Sequence, residues 1–151
     1  VYTSWGVLCW LPDLRAWARA VSALLRPGGT FYLVELHPTM LLFEQSPGRA
    51  LERTYGYFRS PEPIVEDGDG TYADRSAHLR HKRRYSWIYE LGAVVNALVD
   101  AGLRIERLNE HDGACAPLFP SLVRHEDGLY RLPPGEPSLP LSFSIRATKP
   151  A

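Results

Sequence analysis

The sequence predicts an α/β fold in which a mostly parallel sheet carries helices on its faces. The chain opens with a short strand-like segment, and then has an amphipathic helix, a Gly-Gly turn and an apolar strand at residues 31–34. A strand–helix–strand unit makes neighbouring strands parallel, because the helix returns the chain to the end of the sheet from which it left. Open sheets of this kind bind ligands at the carboxyl ends of their strands. Candidate functional residues are therefore sought at these ends.

Composition is typical of a single globular domain. The 151 residues are 45% hydrophobic and 23% charged, with a formal net charge of zero. That balance favours neither nucleic acid nor an anionic membrane as a partner. No apolar run approaches the roughly 20 residues that span a bilayer. Cys9 and Cys115 do not form a disulfide framework, so reduced thiols in a cytoplasmic protein are predicted.

The first unit has recognisable boundaries. Residues 1–3 are predicted to end a strand, and residues 4–6 break it. Asp13 follows a proline and can cap a helix, which Gly28 then ends. Residues 31–34 are all apolar, which favours a strand covered on both faces. The predicted buried face of the helix comprises Leu14, Trp17, Ala18, Val21, Leu24 and Leu25.

The middle of the chain, about residues 38–86, lacks this regularity and is predicted to be a lid-like insertion. We expect short helical pieces at residues 40–57, followed by a loose hairpin whose second strand lies within residues 80–87. A second helix is predicted at residues 88–101, and an alternating strand at residues 103–108. After a loop at residues 110–137, a last strand spans residues 139–149. The predicted buried face of the second helix comprises Leu91, Val94, Val95, Leu98 and Val99.

Three segments together resemble a known family. They are YTSWGVLCWLPDL at residues 2–14, LLRPGG at residues 24–29 and NALVDAGL at residues 96–103. In this order they resemble the second half of a class I S-adenosylmethionine-dependent methyltransferase. The resemblance covers nearly all of the chain except the insertion.

The resemblance implies a Rossmann-like sheet with S-adenosylmethionine as cofactor and a small molecule as methyl acceptor. The four strands here would be the fourth to seventh of the family's seven. The last would be antiparallel and would lie between the other two, next to residues 31–36. The family's glycine-rich loop, its ribose-binding acid and its first three strands belong upstream, and no G-x-G-x-x-G occurs in this sequence. We therefore expect residues 1–151 to form one partial domain whose partner is a missing N-terminal half.

The end of the first strand is the predicted cofactor edge. Ser4, Trp5, Gly6 and Val7 occupy it, and the resemblance places this segment beside the sulfonium and the adenosine. Gly6 permits a tight turn or a close approach to the backbone. Trp5 could pack its ring on the cofactor or substrate, or could simply be a core aromatic residue.

Glu35 and His37 end the next strand and are the predicted catalytic residues. A carboxylate at the end of an apolar strand needs a partner, so Glu35 either orients a substrate group or pairs with an arginine. His37 could act as a general base because its pKa normally lies near neutral pH. Alternatively, its ring hydrogen-bonds a backbone carbonyl.

Tyr85 and Trp87 are the predicted substrate-binding residues, at the junction of the insertion and the second helix. With Tyr89 they could form an aromatic roof, or they could anchor the insertion. No metal is expected, because no metal-binding motif accompanies the histidines at positions 78, 81, 111 and 125. A cluster of basic residues is interpreted as a solvated strand face offset by the acidic residues 62–69, rather than as a nucleic-acid site. It comprises Arg75, Arg80, Lys82, Arg83 and Arg84.

Two other functions remain open at this point. The chain could be a non-catalytic module that associates through the exposed edge of its first strand, including as a homo-oligomer. It could also belong to another nucleotide-dependent α/β enzyme, such as a dehydrogenase, whose glycine-rich fingerprint would lie upstream.

Overall fold

A four-stranded sheet with two helices forms the centre of the molecule, and two-stranded hairpins surround it. The computed structural model describes residues 1–44, 46–68 and 76–151. Single 3₁₀ turns occur at Leu8–Trp10 and Met40–Leu42. In chain order the other elements are β1 (Tyr2–Ser4), α1 (Leu14–Leu24), β2 (Thr30–Leu36), β3 (Phe43–Glu44), β4 (Glu52–Arg53), β5 (Ile64–Asp67), β6 (Arg83–Ser86), α2 (Leu91–Asp100), β7 (Arg104–His111), β8 (Val123–Arg124), β9 (Tyr130–Arg131) and β10 (Ser142–Thr148).

The strand order of the central sheet is β1-β2-β10-β7. β1 and β2 are parallel, with Ser4 opposite Val34. β10 is antiparallel to both of its neighbours, with Phe143 opposite Glu35 on β2 and opposite Glu110 on β7. The predicted α/β sheet with a reversed last strand beside β2 is therefore confirmed.

Helix α1 begins at its predicted cap. The Asp13 carboxylate accepts a hydrogen bond of 2.9 Å from the Ala16 N–H, and Gly28 adopts φ +72° after the helix ends. Leu14, Ala18, Val21 and Leu25 are buried as predicted. Leu24 is 76% exposed, so its assignment to the buried face was wrong. It lies in the last turn, where the 3.6-residue period turns it away from the sheet.

Strand β2 is covered on one face, and the prediction of two covered faces was wrong. Phe31 and Leu33 are fully buried against α1 and α2. Tyr32 points the other way, is 41% exposed, and stacks on Tyr2 with ring centroids 6.1 Å apart. Because both helices pack on one face, alternate residues of β2 remain partly open.

Helix α2 begins three residues later than predicted and buries Val94, Ala97 and Leu98. Val99 is half exposed, so this member of the predicted face was wrong. Gly102 follows the helix with φ +83°. Left-handed backbone favours glycine, so the residue suits the end of the helix.

The insertion and the loop at residues 110–137 pack together into a second core. Its buried members are Met40, Ala114, Phe119, Leu122 and Leu141. In the described part of residues 40–57, the predicted helical pieces reduce to one 3₁₀ turn, and the short strands β3 and β4 follow it. The predicted hairpin is confirmed as β5 and β6. The predicted loop at residues 110–137 contains the hairpin β8–β9.

Charged residues pair across the β5–β6 hairpin. Asp67 and Arg83 form an ion pair of 3.0 Å. Part of the basic cluster is thus offset by the acidic segment, as predicted. Arg75 and the last acidic position, Asp69, lie outside the described residues.

We expect Leu33→Ala to lower the free energy of unfolding by about 2–5 kcal/mol, because it leaves a cavity in the fully buried core. Leu24→Ala is the matched control, and should change it by less than about 0.5 kcal/mol because Leu24 is exposed. Urea unfolding of the two variants measures the difference. Equal losses would contradict the assignment of the core.

Candidate functional site

The parallel strands β1 and β2 end side by side, and the chain turns sharply after β1. Among the described residues, Trp5 is the one non-glycine residue with positive φ, at +40°, and Gly6 follows at +74°. The Trp5 N–H donates to the Val34 carbonyl at 2.8 Å, so the turn stays attached to β2. A bulky residue in this region of φ is strained, and such strain concentrates at functional sites.

One buried carboxylate holds the turn in place. Glu35 accepts hydrogen bonds from the backbone N–H groups of Gly6, Val7 at 2.8 Å and Leu8 at 3.1 Å. It also accepts one from the N–H of Leu36 at 2.7 Å, and its residue exposure is only 4%. Successive N–H groups of this kind form a nest for an anion. The partners of Glu35 are thus backbone groups rather than the arginine considered above.

Gly6 faces open space. A Cβ built at this position would meet no atom within 4 Å, so the residue is required for its backbone angle rather than for close packing. The Cα side of Gly6 is therefore accessible at the carboxyl edge of β1.

Cys9 fills the space beneath the turn as a neutral thiol. Burial, with a further contribution from the negative charge of Glu35, raises its pKa to about 12. The backbone carbonyl of Cys9 accepts a hydrogen bond of 2.9 Å from the Trp87 N–H. Cys9 therefore links the turn to the end of the insertion.

A cleft of about 220 Å³ opens between the turn and the insertion. Gly6 and Trp87 both line it, so the structure brings one predicted cofactor residue and one predicted substrate residue to the same cavity. Tyr85 lies opposite Val65 in the hairpin, and both are about half exposed. The cleft is lined by Gly6, Cys9, Trp10, Leu36, Leu41, Tyr55, Ile64, Glu66, Ser86, Trp87, Ile88 and Leu118.

His37 is buried, and both of its ring nitrogens have partners. Nδ1 accepts a hydrogen bond of 3.1 Å from the Thr39 N–H, so the neutral ring carries its proton on Nε2, 2.8 Å from Glu110 Oε1. The ring also forms a T-shaped pair with the ring of Phe143. Burial lowers the pKa of His37, and the nearby Glu110 partly offsets this effect. General-base catalysis by His37 stays a prediction, and it would require the ring to exchange its bond with Thr39.

The aromatic residues after β6 anchor the insertion. The Tyr89 hydroxyl donates to the Leu11 carbonyl. The Arg59 guanidinium lies 5.1 Å from the centre of the Tyr89 ring and donates to the Pro12 carbonyl at 2.9 Å. Trp87 anchors the insertion through its backbone N–H, which donates to the Cys9 carbonyl, and it also lines the cleft. Its role in substrate binding stays a prediction.

Sequence reasoning missed several residues of this site. Glu66 was seen only as part of an acidic stretch, and Tyr55 was not singled out. Their shared position depends on how the insertion folds, which no local pattern indicates. In the described part of the chain, no group of three His, Cys, Asp or Glu residues could hold a metal ion. No helix there is long and apolar enough to cross a membrane.

Comparison with solved structures identifies the fold. A methyltransferase from Mesorhizobium loti that depends on S-adenosylmethionine is similar, with a TM-score of 0.60 and 19% identity, over 97% of this chain and 59% of that one. A Listeria monocytogenes protein provisionally described as such an enzyme gives 0.58 and 13%, over 100% and 61%. The glycopeptide N-methyltransferase MtfA, complexed with sinefungin, gives 0.50 and 15%, over 100% and 53%.

The chain therefore has the fold of S-adenosylmethionine-dependent methyltransferases, which confirms the resemblance at the level of the fold. It spans 53–61% of the length of these three structures. No protein-family model matches the chain, and no curated protein matches it significantly.

We expect Glu35→Gln to lower the free energy of unfolding by about 1–3 kcal/mol, because the new amide NH₂ opposes a buried N–H donor. Hydrogen exchange at the amides of Val7 and Leu8, which donate to Glu35, should accelerate relative to exchange at the amides of β2. Glu136→Gln, at an exposed position, is the matched control. Unchanged protection of these two amides would contradict the role assigned to Glu35.

We expect an NMR titration to give His37 a pKa below 6.5, and Glu110→Gln to lower it further by removing the charge that partly offsets burial. Between the folded-state pKa of His37 and the unfolded-state value of 6.5, the unfolded chain then binds more protons than the folded chain. The stability contributed by neutral His37 is complete above pH 6.5 and is lost as the pH falls through the folded-state pKa. A pKa above 6.5 would contradict this assignment.

Proposed function

We propose that the protein containing this chain transfers a methyl group from S-adenosylmethionine to a small molecule. The observation that carries the proposal is the edge at which β1 and β2 end in parallel, with the strained turn of Trp5 and Gly6 beside a cleft. The reversed β10 next to β2 supports it, since it completes the strand order expected from the family. A solved structure of similar fold is an S-adenosylmethionine-dependent methyltransferase, so we infer the same cofactor here by analogy of fold.

The residues present fit one wall of a cofactor site. Ser4, Trp5, Gly6 and Val7 would form it, because Gly6 opens to space and Trp5 is only partly buried. When bound, S-adenosylmethionine supplies a methyl group already activated by the adjacent sulfonium. The N–H groups of the turn are committed to Glu35, so a ligand would meet the outer surface of the turn.

The residues on the substrate side would act mainly by positioning the methyl acceptor. Methyl transfer gains much of its rate from holding the acceptor in line with the methyl group. Trp87 would form part of the acceptor's wall, since it lines the cleft that contains Gly6. Glu35 would keep the turn fixed relative to β2. The assignment of Tyr85 to the substrate, like a cytoplasmic location, stays a prediction.

A second candidate is association through β1. No described strand pairs with the outer edge of β1, and Tyr2 and Tyr32 expose a stacked pair on the sheet face beside it. Concentration-dependent mass in light scattering, without cofactor binding, would favour this function. A dehydrogenase is less well supported, because the dinucleotide-binding sheet is mostly parallel and β10 here is reversed between two strands.

We expect Gly6→Val to weaken binding of S-adenosylmethionine by the full-length gene product at least about tenfold, because a side chain there enters the open face of the turn. Gly48→Val is the matched control, since Gly48 also has a left-handed backbone, φ +73°, and open space around it. Isothermal titration measures both affinities. A folded full-length protein that binds no cofactor would overturn the function, and equal affinities would overturn only the assigned wall.

A further inference from the structure

We propose that the cleft beside Gly6 selects a small aromatic molecule bearing an amine and rejects anionic analogues. The inference rests on the proposed function only for the cleft's role as the acceptor site. The preference itself is a property of binding and can be measured without cofactor.

The walls of the cleft are aromatic and aliphatic. Trp10 lines it from the 3₁₀ turn at Leu8–Trp10, Tyr55 from the insertion, and Trp87 from the segment after β6. Aromatic faces stabilise planar ligands and attract ammonium groups through the ring quadrupole. Leu36, Ile64 and Leu118 complete an apolar lining. Because these side chains form no hydrogen bonds, they disfavour a highly polar ligand.

The charged residue lining the cleft is an acid. Glu66 is on β5, and among the described residues that line the cleft there is no arginine or lysine. A second carboxylate, that of Glu44, accepts a hydrogen bond of 2.8 Å from the hydroxyl of the lining residue Tyr55. The cleft therefore presents a negative potential to a ligand.

Two other observations agree with this sign of charge. The hydrogen bond to Glu44, burial, and the charges of Glu44 and Glu66 raise the pKa of Tyr55 to about 12, so its hydroxyl stays neutral. Arg84 is the basic residue opposite Glu66 in the hairpin, but its guanidinium lies 3.0 Å from where a Cβ of Gly68 would stand. Arg84 is thus directed toward the hairpin end rather than into the cleft.

The size of the cleft limits the ligand. Its volume of about 220 Å³ is below the range of roughly 300–1,000 Å³ typical of sites for drug-sized molecules. A single ring with a short side chain suits this space. The combination of size, aromatic walls and acid indicates an arylalkylamine.

The test compares three probes that share a 4-hydroxyphenyl ring, are similar in size and differ in charge. Isothermal titration of the chain with tyramine, tyrosol and 4-hydroxyphenylacetate measures the preference for cation, neutral molecule and anion. We expect tyramine to bind at least about tenfold more tightly than 4-hydroxyphenylacetate, with tyrosol between them. In Glu66→Gln the ratio of the two charged probes should fall to within about threefold.

Glu136→Gln is the matched control, because Glu136 is an exposed acid outside the residues that line the cleft. It should leave the ratio unchanged, and thermal unfolding of both variants checks that they are folded. Equal or reversed affinities for the charged probes, no measurable binding of any probe, or equal effects of the two variants would overturn the proposal. Cofactor binding by the full-length protein is measured separately, so failure here leaves the methyltransferase proposal standing.

Discussion

The buried carboxylate of Glu35 fixes the geometry on which the candidate site depends. It lies on β2 but binds the backbone of the turn that follows β1, so one side chain sets the position of one strand end relative to the next. A charged group out of water is costly unless it is well hydrogen-bonded. Hydrogen bonds from four backbone N–H donors offset that cost. The same bonds hold the turn with Trp5 and Gly6 in left-handed conformations.

The regular part of the fold was predictable from periodicity, whereas which face of the sheet is covered was not. Asp13 and Gly28 bound α1 as their side chain and backbone preferences predict. Leu24 and Tyr32 are exposed, contrary to prediction, because the apolar character of a residue does not show whether another element packs against it. Covering depends on where both helices pack, which is a property of the tertiary structure.

The site was only partly predictable, for a related reason. The edge residues Ser4 to Val7 follow from the strand rule, because parallel strands end together. The hydrogen-bond partners of Glu35 could not be predicted from the sequence. Every residue except proline carries the same backbone N–H, and the sequence does not show which of these groups will lie beside the carboxylate. The cleft was also hidden, because β3 and β4 have two residues each and are positioned by contacts distant in sequence.

The reversed direction of β10 explains why so many connections meet at one edge. An antiparallel strand begins where its parallel neighbours end, so the start of β10 lies beside the ends of β2 and β7. Leu141 enters the second core there, together with residues from the insertion and from the loop before β10. Had β10 run parallel, that loop would have crossed to the opposite edge. The reversal therefore gives the insertion an apolar base at the same edge as the turn of Trp5 and Gly6, and the cleft forms where the two meet.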